Sequence, residues 1–598
     1  MEEKKPGWNQ FKRIKLDRKR LARRMQKAEG ATQRHAHRFI VRRIDNIRLV
    51  AREVTTWLVL VGIIIAALGV QLLVSKPQFT ATARAEGGTF VEGTIGQIDT
   101  MNPLYLTTPS EASVSRLLFS SLYNYDETGH LHQDIIKSLT VDASGRVYTA
   151  TIRDDVAWHD KTPLLASDIV YTVNLIKNPS ARSPLRINWL DVTVAAVNNT
   201  TVQFTLPATY AAFPHALTFP ILPEHILKTV APGAIRESAF SRSPVGSGPF
   251  TFRLLQAADN VSRHKVVHLA ANPAYYAGAP KLDRFEIHAY PDEASLLKAL
   301  RSGELSGASG LSPTVAPSID TARYKLTPQA LNSGVYLLFN MNNPILKDVK
   351  VRKALQAATD TAALRSDIGG GVLPLDAPVL RSQLEGADIP KVAPPDIARA
   401  QALLDEAGWK LSGSGSVRAG QTLSFTITTT KNSENVRSID NLVKQWRKIG
   451  VNIERKIVDT SGIASTFVQD TLQARNFDML LYELAIGADP DVYAYWHSSQ
   501  IGQTGYNFTS YSNKAVDASL ASARSRLEPE LRNAKYKQFV RQWQEDAPAL
   551  ALYQPVLEYV SNENVDAVRP GAQLVSEADR YANVLYWTVH SDTVYKTP

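Results

Sequence analysis

Side chains that could catalyse a reaction or hold a metal ion are few and scattered in this 598-residue sequence. It contains no cysteine, which excludes thiol nucleophiles, disulfides and cysteine-ligated metals. Its 12 histidines form no dense cluster, and no H-E-x-x-H, G-x-S-x-G or G-K-[ST] motif occurs. We therefore expect no enzyme active site, no cofactor and no protein-bound metal ion.

Two carboxylates stand near the end of an apolar run, where they could meet a charged group. Residues 480–486 are largely apolar, Gly487 marks a bend, and Asp489 and Asp491 follow it. A carboxylate held beyond such a strand can pair with a cationic group of a ligand. The alternative is structural: Asp489 caps a helix whose first residue is Pro490, a position that suits proline. The sequence leaves both interpretations open.

The elements that must position these carboxylates alternate between strands and helices. A period of two in 201–206 and in 423–427 predicts strands, and the spacing of apolar residues in 435–449 predicts a helix that ends at Gly450. A strand at 451–457 should then lie parallel to the preceding one, across a right-handed connection. Three more helices are predicted, after Ser167, after Asp396 and over 349–364. The fold class is therefore α/β, in several lobes.

The charge of the chain is concentrated at its N-terminus. The net charge is +10, yet residues 1–53 hold 17 Lys/Arg and 6 acidic residues, or +11, which leaves −1 for the rest. The basic character therefore belongs to a tail and does not indicate a body that binds nucleic acid. Basic residues beside a membrane span bind anionic lipid and fix topology, and we assign the tail that role.

Residues 54–74 carry no charged side chain and predict a membrane-spanning helix. At about 1.5 Å per residue, a helix of this length spans roughly the 30 Å hydrocarbon core of a bilayer. The basic residues precede the span, so the N-terminus should be cytoplasmic and the body extracytoplasmic. The small-x-small run at 83–85 has the form of a signal-peptide cleavage site, but it lies well beyond the apolar run. We favour an uncleaved, single-pass anchor in the cell membrane.

A series of ordered blocks over about 88–590 resembles the extracellular solute-binding proteins of the oligopeptide, dipeptide and nickel type, family 5. W-H-D-K-T-P at 158–163 is similar to the W-H-D-G-x-P of that family, with Lys161 in place of glycine. P-V-G-S-G-P-F at 244–250 is similar to its P-V-G-T-G-P-[YF]. The other blocks lie at 119–126, 147–153, 167–171, 339–360, 400–408, 477–479, 511–517 and 546–548.

The resemblance implies a periplasmic-binding-protein-like fold of type II. This is a two-lobed α/β clamshell with an inserted subdomain, here preceded by one transmembrane helix, and its ligand lies between the lobes. The implied organisation is a basic cytoplasmic tail (1–53), a transmembrane anchor (54–74), a tether (75–87), the base of lobe I (88–120, 240–335 and 550–598), the inserted subdomain of lobe I (121–239) and lobe II (336–549).

The resemblance also implies a receptor rather than an enzyme. Members of the family capture peptides or similar small solutes outside the membrane and deliver them to the permease subunits of an ABC importer. The sequence has no phosphate-binding loop, so the energy must come from partner ATPases. Two alternatives stay open: a sensor or scaffold that signals through the same clamshell, and a receptor for a non-peptide solute such as a metal chelate or an oligosaccharide.

For the site, the resemblance points to the segment that follows the apolar strand. In peptide-binding relatives an Asp at this place pairs with the α-ammonium of the ligand, and Asp489 or Asp491 matches it here, although Ile486 stands where an aromatic residue is common. The other implied site residues are backbone partners of the ligand at Glu483, Leu484, Ala485, Ile486 and Gly487, cleft walls at Tyr482, Trp496 and Tyr553, and a second backbone contact at Ile98 and Asp99.

Overall fold

The computed structural model describes residues 27, 30–31, 51–257, 264–369, 371–384, 390–413, 415–460 and 466–595. The chain divides into two compact units, Met1–Ala83 with Asp592–Pro598 and Arg84–Ser591. The predicted basic tail, 1–53, lies outside the described residues except at 27, 30–31 and 51–53.

The first unit contains one long apolar helix, Ala51–Phe79. Its window Ala51–Gln71 has a mean hydropathy of 2.2, and none of that window is buried. Trp57, for example, exposes 68% of its surface, which is unfavourable in water. By length and composition the helix is suited to crossing a bilayer, and it contains the predicted span 54–74.

The segment predicted as a tether, 75–87, has regular structure. The apolar helix continues to Phe79, and the strand Thr80–Ala85 follows it directly. This strand forms a two-stranded sheet with His590–Tyr595.

The second unit is built on two large sheets, of which the larger has eight strands. Thr89–Ile95 lies between two parallel neighbours, Arg284–Tyr290 and Gly307–Leu311. The helix Glu293–Ser302 connects these two neighbours, because parallel strands need a crossover connection. In spatial order the strands are Gln573–Leu574, Tyr324–Leu331, Val556–Asn562, Gly307–Leu311, Thr89–Ile95, Arg284–Tyr290, Lys265–Ala271 and Phe250–Ala257.

The second large sheet has six strands and confirms the predicted strand–helix–strand unit. Ser424–Thr430 and Asn452–Val458 are parallel, and the helix Ser433–Trp446 joins them. Ser333–Phe339 is buried along its whole length, since alternate residues enter hydrophobic clusters on opposite faces. In spatial order the strands are Leu373–Pro374, Ala549–Gln554, Ser333–Phe339, Met479–Ala485, Ser424–Thr430 and Asn452–Val458.

A four-stranded antiparallel sheet is inserted between strands of the eight-stranded sheet. Its Phe204 belongs to the same continuous core as Phe90 and Phe285 of the larger sheet. One face is therefore buried, which explains the alternation predicted for 201–206 and observed as Thr201–Thr205. In spatial order its strands are Ile136–Val141, Val147–Ile152, Thr201–Thr205 and Thr193–Asn198.

In the described part of the chain, the backbone passes between the two large sheets twice. Asn332 is the single residue between consecutive strands of different sheets, and Pro555 is the single residue on the return. The Leu331 N–H donates to the Pro555 carbonyl at 3.0 Å, which ties the two passages together. These passages lie close to the boundaries predicted at 336 and 550, and the division into lobes stays a prediction.

One predicted helix is two helices. The helices predicted after Ser167 and Asp396 are confirmed, whereas the single helix over 349–364 is wrong. It breaks because the Asp360 carboxylate accepts a hydrogen bond from the Ala363 N–H at 2.9 Å and starts a new helix. The α-helices of eight or more residues in the described part of the second unit are Pro109–Leu118, Ala166–Lys177, Glu293–Ser302, Val349–Ala357, Thr361–Ile368, Ile397–Glu406, Ser433–Trp446, Lys514–Ser525 and Pro529–Asp546.

A buried ion pair anchors the 3₁₀-helical segment Glu577–Tyr586 to the eight-stranded sheet. Arg580 Nη2 and Nε lie 2.9 and 3.1 Å from the two carboxylate oxygens of Glu92, and both side chains are almost fully buried. Burial alone would lower the pKa of Arg580, but Glu92 and Tyr581 outweigh it and raise the pKa. The segment that carries Glu577 is thereby fixed against the strand Thr89–Ile95.

We expect Arg580→Met to reduce the free energy of unfolding by about 3–5 kcal/mol, because Glu92 is left as an unpaired buried charge. Urea titration followed by tryptophan fluorescence measures the loss. The matched control is Lys350→Met, which removes a half-exposed pair with Glu406 and should cost less than about 1 kcal/mol. The double variant Glu92→Leu/Arg580→Met should recover most of the loss, and equal effects of the two single variants would contradict this role.

Candidate ligand-binding cleft

The strand Met479–Ala485 of the six-stranded sheet has an open edge. On one side the strand Ser333–Phe339 pairs with it along its whole length. On the other side the strand Ser424–Thr430 pairs only with Met479 and Leu480. In the described part of the chain, the edge over 482–485 therefore has no strand partner on that side. Backbone groups at such an edge can accept an extended peptide as an additional strand.

The backbone just past this edge is bound by the protein itself. The N–H groups of Ile486 and Gly487 both donate to the Asn332 carbonyl at 2.9 Å, and Gln383 Nε2 donates to the Gly487 carbonyl at 2.8 Å. The side chains of Leu484 and Ile486 are buried in the core. Backbone contacts between a ligand and 483–485 stay a prediction. At Ile486 and Gly487 the N–H groups already bind Asn332, which with Pro555 forms the connection between the two large sheets that we call the hinge.

Asp489 and Asp491 each pair with an arginine of a neighbouring helix. Arg532 Nη2 lies 2.8 Å from Asp489 Oδ1, and Arg524 Nε lies 2.9 Å from Asp491 Oδ2. Burial by itself would lower the pKa of both guanidinium groups, but the paired carboxylates outweigh it and raise the pKa of each. Both carboxylates thus have a cationic partner within the protein. An ammonium-binding role for either one stays a prediction and requires the ligand to share the carboxylate with an arginine.

The alternative interpretation of Asp489, as the cap of a helix that begins at Pro490, is wrong. Asp489 Oδ1 accepts a hydrogen bond from the Asp491 N–H at 3.0 Å, which closes a turn rather than a helix. The next helix is the single turn Tyr493–Trp496, and its N-cap is Val492.

Residues that follow the four-stranded sheet touch these ion pairs. His215 Nε2 lies 3.9 Å from Asp489 Oδ2, the Ala211 N–H donates to the Arg524 carbonyl at 2.9 Å, and the Arg524 guanidinium lies 5.0 Å from the centre of the Tyr210 ring. Burial lowers the pKa of His215 against the opposing effect of Asp489, so the imidazole is neutral at neutral pH. Tyr210, His215 and Arg524 also line a cavity of about 560 Å³.

The three aromatic residues predicted as cleft walls lie in different environments. Trp496 is 1% exposed and packs edge-on against Trp543 at 5.3 Å, so its side chain lies in the core, and its role as a cleft wall stays a prediction. Tyr482 is half-buried beside Phe508, with ring centres 5.9 Å apart. Tyr553 is fully buried, yet its hydroxyl has no hydrogen-bond partner among the described residues.

Ile98 and Asp99, predicted as a second backbone contact for the ligand, are bound to other parts of the protein. Lys265 Nζ lies 2.6 Å from the Ile98 carbonyl and 3.1 Å from Asp99 Oδ1. The Asp99 N–H donates to Glu111 Oε1 at 2.9 Å. These two residues therefore have protein partners at the groups that were expected to meet a ligand, and their role stays a prediction.

Four carboxylates that are linked by their effects on one another's ionisation are called the acidic cleft here: Glu293, Glu434, Glu483 and Glu577. Glu483, predicted only as a backbone partner, is solvent-exposed, and its Oε1 accepts a hydrogen bond from the Ser333 hydroxyl at 2.6 Å. Burial and the neighbouring Glu483 and Glu293 raise the pKa of Glu434 to about 7. No group of three or more His, Asp or Glu side chains in the described ranges is placed to hold a metal ion.

Sequence reasoning missed Glu293, Glu434 and Glu577 for a physical reason. Each lies at the start of a helical segment, where an acidic residue is an ordinary partner of the helix dipole. No local pattern distinguishes such a residue from one that faces a ligand. The distinguishing signal would be the absence of a basic partner, which depends on packing.

The fold and the cleft together define a two-lobed solute-binding protein. Residues 130–505 match the bacterial extracellular solute-binding proteins, family 5, over their middle region. The chain therefore belongs to this family.

Relatives with 25–30% identity cover most of the second unit. The oligopeptide-binding protein AppA of Bacillus subtilis is 28% identical over 507 residues, which cover 83% of this chain and 91% of AppA. The structure of B. subtilis AppA with a nonapeptide has a TM-score of 0.69 and 26% identity, and covers 85% of this chain and 99% of that one. The structure of NikZ of Campylobacter jejuni in complex with Ni(L-His) has a TM-score of 0.70 and 26% identity, and covers 84% of this chain and 99% of NikZ.

We expect Arg524→Ala to move the two sides of the cleft apart, because it leaves the buried Asp491 carboxylate unpaired and removes the contact with Tyr210. These contacts should stabilise the arrangement in which Arg524 contacts both Asp491 and Tyr210, which we call the closed form, by about 2–4 kcal/mol. Since the chain has no cysteine, spin labels can be placed specifically at the exposed Val197 and Lys410, and electron–electron resonance then measures their separation.

The label separation should become longer and broader in Arg524→Ala and change less in Arg524→Lys, which keeps the positive charge. Lys350→Ala, a surface variant with an exposed partner, is the control. An unchanged distance distribution in Arg524→Ala would show that the arginine does not hold the closed form.

Proposed function

We propose that this chain is the receptor that captures peptides outside the cell for an ABC importer and is held at the membrane by its N-terminal helix. The observation that carries the proposal is the open strand edge at 482–485, because an extended peptide can complete it. The hinge at Asn332 and Pro555 lets the opposite lobe close over such a ligand.

The relatives support a peptide as the ligand. B. subtilis AppA is an oligopeptide-binding protein, and its structure contains a nonapeptide. NikZ holds Ni(L-His), so a metal chelate is the principal other outcome of a binding test. A chelate receptor would need no open strand edge, and this favours the peptide.

The proposed partners are two permease subunits and their ATPases. The chain itself has no phosphate-binding loop, so transport must draw its energy from other subunits. Binding without chemical conversion of the ligand is part of the same proposal. Co-purification of a permease pair supports the importer, whereas co-purification of a kinase or a cell-wall enzyme instead supports a sensor or scaffold.

The proposed anchor is the helix Ala51–Phe79, with the N-terminus in the cytoplasm and the second unit outside. Tethering would raise the concentration of the receptor at its permease without any additional contact. The chain has no cysteine for lipid attachment, so in this proposal the helix alone holds the receptor at the membrane.

We expect the purified full-length chain to bind a pool of peptides of mixed length and to release them unaltered. Isothermal titration measures binding, and mass spectrometry of the recovered peptides detects cleavage. Backbone N-methylation of the same pool should weaken binding by about 1 kcal/mol for each hydrogen bond removed at the open edge. Equal binding of methylated and unmethylated pools would contradict pairing at the edge, and cleaved products would contradict a receptor.

We expect the full-length chain to remain in membranes after alkaline carbonate extraction. The double variant Ile64→Asp/Ile65→Asp should lose this property, because each aspartate at the centre of a span costs about 2.5–3.5 kcal/mol. Ile187→Asp, at an exposed site of the second unit, is the control and should leave membrane association unchanged. Recovery of the parent chain in the soluble fraction would refute the anchor.

A further inference from the structure

The carboxylates of the acidic cleft come from both of the parts that the hinge joins. Glu434 and Glu483 belong to the part built on the six-stranded sheet, and Glu293 and Glu577 to the part built on the eight-stranded sheet. The helix Ser433–Trp446, which carries Glu434, packs on the face of the six-stranded sheet that contains Val335 and Tyr553. Burial is the main cause that raises the pKa of Glu434 and of Glu577, and Glu483 adds to both.

Glu434 and Glu483 have no basic partner among the described residues, unlike the carboxylates of the ion pairs. Asp489, Asp491 and Glu92 each lie within 2.9 Å of an arginine nitrogen. In contrast, the surrounding protein raises the pKa of Glu434 and of Glu483, although solvent reaches both side chains, and in the described residues no lysine, arginine or histidine opposes that effect. A carboxylate that is partly removed from water and has no cationic partner is costly, and a cation supplied from outside would relieve that cost.

A second observation at the same place points to a ligand. The Tyr553 side chain is 0% exposed, and its hydroxyl makes no hydrogen bond within the described structure. Glu483 and Tyr553 both pair with Val335 in the six-stranded sheet, so their side chains emerge on the same face of that sheet. Burial is the main cause that raises the pKa of Tyr553, and Glu434 and Glu483 add to it. The fully buried Ser438 hydroxyl lowers this pKa, although neither hydroxyl meets the geometry of a hydrogen bond within the described structure. Buried hydroxyls normally have partners, so a partner from a ligand is the natural completion.

We propose that Glu434, Glu483 and Tyr553 form a subsite for a positively charged group of the ligand, an ammonium or a guanidinium. This rests on the proposed peptide-binding function and names the residues that recognise charge. The carboxylates would accept N–H bonds from the cation, and the Tyr553 hydroxyl would gain the partner that it lacks. The subsite differs from the role that the family resemblance gives Asp489, whose carboxylate Arg532 already holds.

Two sources could supply the charge: the α-ammonium of a peptide, or a lysine or arginine side chain. Four peptide pools of mixed length separate them, with the N-terminus free or acetylated and with Lys/Arg present or absent. Each pool is offered to the full-length chain in detergent, and the retained peptides are quantified by mass spectrometry. We expect the acetylated pool without Lys/Arg to be retained about tenfold less than at least one charged pool, the effect of one charge-assisted interaction.

Four variants identify the residues that recognise the charge. Glu434→Gln and Glu483→Gln should each bring the ratio of charged to uncharged retention towards one. Asp489→Asn should keep the ratio of the parent protein. So should Glu406→Gln, which changes a surface carboxylate that pairs with Lys350. Loss of the ratio in Asp489→Asn but not in the cleft variants would overturn the subsite and favour Asp489.

The ionisation of Glu434 should make ligand binding depend on pH, which would not be expected if Glu434 had only a structural role. The groups that face it are Glu483, Glu293 and the hydroxyl of Tyr553. Because its pKa is raised to about 7, retention of charged pools should increase from pH 6 to pH 8, and Glu434→Gln should remove this increase. Without ligand, thermal stability should fall as the pH rises from about 4.5 to 7, and less so in Glu434→Gln.

The outcomes distinguish the two proposals. Equal retention of all four pools by the parent protein overturns the subsite but leaves peptide capture intact. Retention of none overturns the proposed function and the subsite with it. The subsite is also overturned if Glu434→Gln and Glu483→Gln both keep the retention ratio and the pH profile of the parent protein. This outcome counts only if the variants are folded, which an unchanged or raised melting temperature shows.

Discussion

The two backbone passages at Asn332 and Pro555 are the constraint on which the rest of the structure depends. Each is a single residue, and the hydrogen bond between Leu331 and Pro555 holds the two passages side by side, so the two large sheets are joined at one narrow place, as a hinge requires. The Asn332 carbonyl also receives the N–H groups of Ile486 and Gly487. The strand that offers its edge to a ligand is thereby attached directly to the hinge.

Charge is distributed around this hinge in two ways. The carboxylates that hold the protein together are paired: Glu92 with Arg580 inside one core, and Asp489 and Asp491 with Arg532 and Arg524 near the contact with the four-stranded region. Glu434 and Glu483 of the acidic cleft have no such partner among the described residues. A protein tolerates that cost where a ligand relieves it, and a cleft that binds a cation preferentially when closed would shift the equilibrium towards closure.

The receptor function follows from this arrangement together with the family. A backbone edge binds an extended chain without regard to its side chains, whereas a charged subsite fixes where that chain begins or where a basic side chain lies. In the proposed function the apolar helix of the first unit has a separate task, since it would contribute location rather than recognition. The exposure of its apolar surface is explained if lipid, and not water, surrounds it.

The sequence by itself determined what depends on near neighbours along the chain. The apolar run 54–74, the strand–helix–strand unit 424–458 and the ordered family blocks are all local patterns, and hydrophobic periodicity fixes such elements. It failed at 349–364, where one side-chain cap at Asp360 ends a helix that the pattern would continue.

Only the tertiary structure decided which charges are paired. Asp489 finds its arginine 43 residues away, and Glu483 finds its hydroxyl partner 150 residues away, so no local pattern contains either contact. Trp496 became core and Glu434 became a cleft residue for the same reason. Burial and ion pairing are properties of packed elements, and packing brings together residues whose separation in sequence carries no signal.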